Sequence, residues 1–265
     1  MKLSVTIITK NESANIGAAL ESVAWADEVV VVDSESTDDT ATIARRFTDN
    51  VIVRPWPGYV DQKNFAASVA RHDWILSLDA DERVSPALAS EIQSTIASAP
   101  RDVAFRVPRV TWHLGRWIRG TDWYPDHQTR LYDRRSARWT GQYVHEGIRA
   151  DGTVGTLRGE LQHYPYADVA AHLDTINKYT TYAARQMHEA GRKASVVDLF
   201  GHPPIAFLRN YVARGGYRDG RAGLVISTLN AYYVFLKFAK LWELHQASSS
   251  AERSQSAAGS PKPDA

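Results

Sequence analysis

The chain has 265 residues, room for one large α/β domain or a domain with an appendage, and enough length to bury a sizeable core. Lys and Arg number 31 against 30 Asp and Glu, so the overall charge makes no case for a nucleic-acid binder, and any basic surface must be local. The absence of cysteine excludes a disulfide framework, thiol catalysis and cysteine-ligated zinc, and it is compatible with a reducing compartment.

Met1-Lys2 leads directly into the β-branched run Leu3 to Ile8, too short for a signal-peptide core, so a cytoplasmic location is the expectation. The run ends in Thr9-Lys-Asn-Glu12, after which Ser13 is placed to cap a helix through about Val23. A second apolar strand, Glu28 to Val32, stops at Asp33 and is followed by polar residues and a helix through about Phe47. Val51 to Val53 is a short third strand, and a helix from about Val60 to Ala70 leads into a fourth at Trp74. Strands alternating with helices imply a parallel sheet. The fourth strand, WILSLDADER from Trp74 to Arg83, empties into the acids Asp79, Asp81 and Glu82. Carboxylates at the carboxyl end of a parallel strand sit where open α/β sheets bind ligands, and a D-x-D pair there can hold a divalent ion beside a diphosphate. Plain strand-exit and helix-start chemistry is the structural alternative.

Ser85 with Pro86 opens a further helix that ends near Ala99-Pro100. From Val103 to about Gln162 the chain is rich in Trp, Arg, Tyr and His, with β-like runs at Ala104 to Val107 and Gln128 to Tyr132, and reads as a substrate side of strands and loops. Helical spacing returns from Asp168 to about Ala190, with two more helices over Pro203 to Tyr211 and Gly220 to Leu244. The expected organisation is a ligand-binding α/β half over 1–100, a strand-and-loop half of the same domain over 101–165, a helical region over 166–246, and a disordered tail over 247–265.

The segments SVTIITKNE (Ser4 to Glu12), VVVVDSESTDDT (Val29 to Thr40), QKNFA (Gln62 to Ala66) and WILSLDADE (Trp74 to Glu82), in this order, resemble the family-2 glycosyltransferases of the GT-A fold. Within them, QKN, LDADE, Tyr143-Val-His-Glu146 and the aromatic C-terminal helices look most like the bacterial lipopolysaccharide inner-core β-glucosyltransferases. The resemblance covers about Met1 to Leu244. It implies an α/β fold with a Rossmann-like, mostly parallel sheet covered by helices on both faces and a C-terminal helical extension. It also implies a UDP-sugar donor and inversion in one displacement.

The resemblance places Thr9, Asn11, Glu12 and Asp33 against the base and ribose, Lys63 against the diphosphate, Asp79 near the ribose, and Asp81, with Asp79, on Mg²⁺ or Mn²⁺. Turn and cap chemistry for the first four, and an exposed helical position for Lys63, are the bland alternatives. An inverting displacement needs a base for the acceptor hydroxyl; Glu146 is the first candidate, with Asp122 and Asp126 of the Gly120 to Arg130 stretch behind it. Trp123 or Tyr124 could lie against an acceptor sugar, and Arg130 could pair with phosphate or make a structural ion pair. The spacing of His113, His127, His145 and His163 matches no zinc pattern. Arg209, Arg214, Arg218 and Arg221, followed by the uncharged run Ala222 to Leu236, suit an anionic inner-membrane surface in contact with a lipid-linked or lipopolysaccharide-core acceptor; a homodimer interface is the alternative. A non-catalytic nucleotide-sugar-binding protein and a sugar nucleotidyltransferase remain rival functions. The second would carry a Gly-rich phosphate loop after its first strand, where Lys10 to Ser13 has none.

Overall fold

A computed structural model describes residues 1–141 and 146–258. The chain divides into two compact units, Met1–Trp112 with Trp123–Pro165, and His113–Asp122 with the chain from Tyr166 onward. The stretch His113–Asp122, expected on the acceptor side of the first domain, thus belongs to the helical unit.

In the first unit, β1 (Leu3–Thr9), β2 (Glu28–Asp33), β3 (Val51–Val53) and β4 (Trp74–Asp79) lie side by side in the order β3-β2-β1-β4, all parallel. Their connections are α1 (Ile16–Glu21), α2 (Thr40–Ala44) and α3 (Tyr59–Val69). The first two helices are shorter than the apolar spacing predicts. Ser13 does not cap α1: its N–H donates to Asp38, and the cap position falls to Asn15. The runs are mostly apolar, with only small hydroxyl residues such as Ser4, Thr6 and Ser77 between, because both faces are buried. Val5 and Ile7 of β1 and Leu76 and Leu78 of β4 pack on one face with Ile16 and Leu20 of α1 and with Leu88 and Ile92 of α4 (Pro86–Ala97). Ile8, Val30, Val32 and Ile75 face the other way, onto Ala66, Ala67 and Ala70 at α3. The N-terminus of α4 is as its sequence dictates, with the Ser85 hydroxyl accepting from Leu88 N–H and Pro86 in the first turn.

Beyond β4 the sheet becomes mixed. It continues through β8 (Asp126–Asp133) to β6 (Ala104–His113), then β12 (Leu161–His163) and β5 (Glu82–Val84), with β11 (Val154–Thr156) also on β6. The pairing is antiparallel at β4–β8, β8–β6 and β12–β5 and parallel where β12 and β11 meet β6. A separate hairpin joins β9 (Ala137–Thr140) to β10 (Gly147–Ala150). The expected strand-and-loop half is therefore a direct extension of the parallel half, built from longer and more numerous strands than the two β-like runs suggest.

The second unit holds β7 (Arg116–Ile118), α5 (Val169–Glu189), α6 (Val196–Phe200), α7 (His202–Leu208), a π turn at Arg209–Ala213 and α8 (Gly220–Ala258). Asp168 caps α5 through Ala171 N–H, and Ser195 and Asp198 form a reciprocal capping box on α6. Asp219, 3% exposed, accepts from Arg119 and Gly120 N–H on its carboxylate and from Arg116 on its backbone carbonyl, fixing the 116–120 segment against the start of α8. A side chain at Gly120 would meet the Gly215 carbonyl 2.6 Å away, so only glycine allows this approach. The helix α8 continues to Ala258, past the expected end of ordered chain at 247; residues 259–265 lie outside the described residues.

Candidate functional site

The register of the parallel strands sets Thr9 beside Asp33 and Ile8 beside Asp79, so three strands deliver polar side chains at one level along the carboxyl edge. This is where an open α/β sheet receives ligands. The loops leaving β1 and β2 are stitched together: Asn11 N–H donates to Ser36 Oγ, Asn11 Oδ1 accepts from Thr37 N–H, and Glu12 N–H donates to Thr40 Oγ1. Asn11 adopts a left-handed backbone at φ 55°, a conformation asparagine tolerates better than most residues. Asp33 does not stand open at this edge. It is 1% exposed and its carboxylate turns back to accept from the Ser36 N–H and hydroxyl.

The QKN segment of α3 ties three separate places to one helical turn. Gln62 Nε2 donates to Ser34 Oγ after β2. Asn64 clamps the backbone of Trp139 on β9 from both sides, donating to its carbonyl and accepting from its N–H. Between them Lys63, expected at an exposed helical position or at the diphosphate, is 2% exposed, with Nζ 3.1 Å from Asp79 Oδ1, 3.6 Å from Glu146 Oε1 and 4.2 Å from the centre of the Trp139 ring. The first D-x-D carboxylate and the candidate base therefore flank a single buried ammonium.

Asp79 meets a second cation on its other oxygen, Arg130 Nη2 at 2.7 Å. Burial would raise the Asp79 carboxyl, but Arg130 and then Lys63 outweigh it and hold the group well below the usual carboxylate range. Arg130 is 3% exposed and also donates to Glu82, so it is an internal ion-pair partner and not a surface clamp for phosphate. Burial works against its charge, and Glu82 and Asp79 more than compensate, raising its pKa further. Glu82 is fully buried and takes a further bond from Arg109, whose guanidinium chelates Asp126 Oδ2. The result is an alternating line of charge from Glu146 through Lys63, Asp79, Arg130, Glu82 and Arg109 to Asp126.

In that line Arg109 and Gln128 hold the two oxygens of Asp126, one of the candidate bases. Asp122, another candidate, belongs to the second unit, where Arg209 and Arg214 grip its carboxylate. Tyr124 donates its hydroxyl to Glu160. Tyr143 and His145 lie outside the described residues.

Asp81 has a different neighbour. Its Oδ2 lies 3.3 Å from His163 Nε2, and the facing strands β5 and β12 set that histidine opposite Glu82. Burial first, then the fields of Asp81, Asp38 and Asp79, raise the Glu12 carboxyl, which marks an excess of negative charge at this corner. Among the described residues no three His, Asp or Glu side chains converge into a complete metal cage. A hard cation shared with a diphosphate needs only one or two protein carboxylates, and this donor set fits that use. Asp81 is the acid open to it, with His163 alongside, whereas Asp79 is already compensated by two protein cations. Sequence spacing gave no role in the site to His163, Arg109 or Trp139, all brought in by strands remote in the chain.

The sequence profile described as Glycosyl transferase family 2 matches residues 4–190. A lipopolysaccharide core biosynthesis glycosyltransferase of Rhizobium meliloti, LpsC, is 34% identical over 92% of this chain and 93% of its own. A glycosyltransferase of Rickettsia bellii is 35% identical over 96% of this chain and 90% of its own. Among solved structures, glucosyl-3-phosphoglycerate synthase of Mycobacterium tuberculosis, in complex with Mg²⁺ and uridine diphosphate, covers 73% of this chain and 81% of its own at 14% identity and a TM-score of 0.47, a likeness of general outline only. The profile and the near full-length relatives set aside the sugar nucleotidyltransferase. The chain belongs to glycosyl transferase family 2 and is a glycosyltransferase with a GT-A-type α/β fold.

Proposed function

We propose that the protein transfers a hexose, glucose in the first instance, from a UDP-sugar to a lipopolysaccharide-core or other lipid-linked sugar acceptor, with inversion at the anomeric carbon. The observation that carries this reading is the Glu146–Lys63–Asp79 bridge. It holds a carboxylate suited to take a proton within one lysine of the carboxylate suited to hold the donor. The acceptor class rests on the similarity to the Rhizobium meliloti relative.

In this mechanism Asp79, kept ionised by Arg130 and Lys63, accepts hydrogen bonds from the donor, and Asp81 with His163 would hold Mg²⁺ or Mn²⁺. The ion would supply Lewis-acid stabilisation of the negative charge on the leaving UDP. Glu146 takes the proton of the acceptor hydroxyl as its oxygen bonds to the anomeric carbon, and the bond to the diphosphate breaks on the opposite face, its electron pair leaving with UDP. Thr9, Asn11 and Glu12 line the base and ribose end, while Asp33 shapes the loop beside them.

The reaction takes place at the cytoplasmic face of the inner membrane, and the second unit offers the surface for it. Phe200, Ile205, Leu208 and Val212 are each more than half exposed, next to exposed Arg218 and Arg221 and to Arg209 and Arg214, which share the single carboxylate of Asp122, while the acids Asp198 and Asp219 are buried. Apolar side chains beside cations suit an anionic bilayer interface. A dimer through this face would set the arginines of two copies against each other. The expected run Ala222 to Leu236 contributes less, because Ala222 and Ile226 are buried. The segment Gly216–Ala247 is long and apolar enough to cross a membrane by composition, and 28% of its most apolar window is buried in the protein.

Calorimetry with UDP, GDP and several UDP-hexoses, in Mn²⁺ and then with chelator, tests the donor half. Metal-dependent binding of a UDP-hexose and no binding of GDP is expected; tight binding of GDP, or UDP-hexose binding indifferent to chelator, would overturn the donor or the metal assignment.

A further inference from the structure

Glu82 takes no part in the chemistry above, yet it is the most completely enclosed acid of the site, with no exposed surface. All its acceptor capacity is directed at the D-x-D turn and its supports. Oε2 accepts from the Asp79 N–H at 3.1 Å, closing the two-residue turn Ala80-Asp81 between β4 and β5. Oε1 accepts from Arg130 Nη2 at 2.6 Å and from Arg109 Nη1 at 3.0 Å. The same Arg130 nitrogen that reaches Glu82 reaches Asp79 Oδ2. On the neighbouring strand the residue in register with Glu82 is His163, the partner of Asp81.

We propose that Glu82 is a positioning residue of the transfer reaction, which sets the direction of both D-x-D carboxylates from inside the protein. It does so for Asp79 through Arg130 and through the turn's own N–H, and for Asp81 by fixing the turn against β12. The arrangement has a physical reason. Arg130 and Arg109 are both drawn toward the interior, and without Glu82 the buried Arg130 would keep only Asp79 as a carboxylate partner. A guanidinium seeks two parallel bonds to a carboxylate. Arg130 would then take both Asp79 oxygens, displacing Lys63 and turning the carboxylate away from the donor. Glu82 prevents that capture by holding the same nitrogen from the other side. Removing one partner of a buried ion network also leaves charge uncompensated, so stability will fall as well, and stability alone does not test the role.

The proposal rests on the donor reading above, and the contrast between the two arginines separates positioning from support. Glu82→Gln, Arg130→Gln and Arg109→Gln are compared for UDP-glucose affinity by calorimetry in Mn²⁺ and for melting temperature. Glu82→Gln and Arg130→Gln are expected to weaken UDP-glucose by about tenfold or more, the loss of one charge-assisted bond's worth of affinity. Arg109→Gln breaks a Glu82 bond of the same kind but leaves Arg130 on Asp79, and is expected to stay within about threefold of the parent whatever its melting temperature. Equal weakening by Arg109→Gln and Arg130→Gln, or parental affinity in Glu82→Gln, would overturn the proposal. If Glu82→Gln does not fold, the two arginine variants still decide. Should the parent protein itself fail to bind UDP-glucose, the donor reading falls, and the crystal structure of Arg130→Gln beside Arg109→Gln takes over: an Asp79–Asp81 turn displaced only in the first supports positioning, and an unmoved turn in both ends it.

Discussion

The two units handle polarity in opposite ways. The first buries charge: Lys63, Glu82 and Arg130 are almost wholly enclosed, each matched to an opposite charge, at the carboxyl edge of the parallel strands. The second buries little charge and leaves Phe200, Ile205, Leu208 and Val212 largely uncovered. Burying ions costs desolvation, which only good mutual geometry offsets, so the first unit gives up stability for a fixed constellation. Uncovered apolar area is a cost of another kind, recovered when a second phase or partner covers it. One unit commits its burial to fixed ion pairs, and the other leaves apolar side chains uncovered.

The largest effect that would sharpen this contrast lies at the site's edge. Asp81→Asn is expected to lower metal-dependent transfer about a thousandfold, the scale of lost Lewis-acid assistance, while melting temperature changes little because the side chain is partly exposed. Wild-type turnover in a radiolabelled-sugar assay would remove Asp81 from the metal. Next is Glu146→Gln, for which transfer should drop by about 100-fold or more with donor affinity nearly unchanged, the signature of a lost general base. A matching fall in donor affinity would instead mean that Glu146 acts through Lys63.

For the second unit, the triple variant Phe200→Ser, Ile205→Ser and Leu208→Ser should lose at least about tenfold in binding to phosphatidylglycerol-containing vesicles, read by flotation, and binding by the parent should weaken with salt. Unchanged flotation would break the contrast outright. Smallest is a pH effect. His172, buried in the second unit, stacks on Tyr166 with ring centres 4.4 Å apart, and burial, then the nearby His113, push its pKa down to about 4. A folded-state value below the unfolded one means the unfolded chain binds the extra proton, so stability should fall as pH drops from about 6.5 to about 4, by up to about 3 kcal/mol. His172→Phe should flatten that part of the melting-temperature profile, and an unaltered slope would remove His172 as its cause.

The parallel half of the fold was legible because its signals are local. Runs such as Val29 to Val32 end in polar turns, and Ser85-Pro86 announces a helix by cap chemistry that needs no tertiary partner. The carboxyl-edge location of Asp79 followed from the same pattern. Glu82 was not legible as a buried residue: it ends an acidic run that reads as a strand leaving the core, and it is enclosed only because β5 pairs with β12 near the far end of the same unit. Lys63 misleads likewise. The buried side of α3 carries Gln62 and Lys63 beside alanines, so apolar periodicity assigns them to solvent, and only the partners Ser34, Asp79 and Glu146 explain why they lie inside. Asp122 and Asp126 looked equivalent in a single aromatic stretch, but they fall in different units with different arginines.

The lysine above the Trp139 ring has an optical consequence. An ammonium 4.2 Å from the ring centre imposes a strong local field on the indole, whose absorption and emission energies respond to such fields. Trp139 is one of eight tryptophans, so its contribution is best isolated as a difference between the protein and Trp139→Phe. A donor bonding to Asp79, the partner of Lys63, would change that field, giving a built-in reporter of donor occupancy that needs neither label nor acceptor.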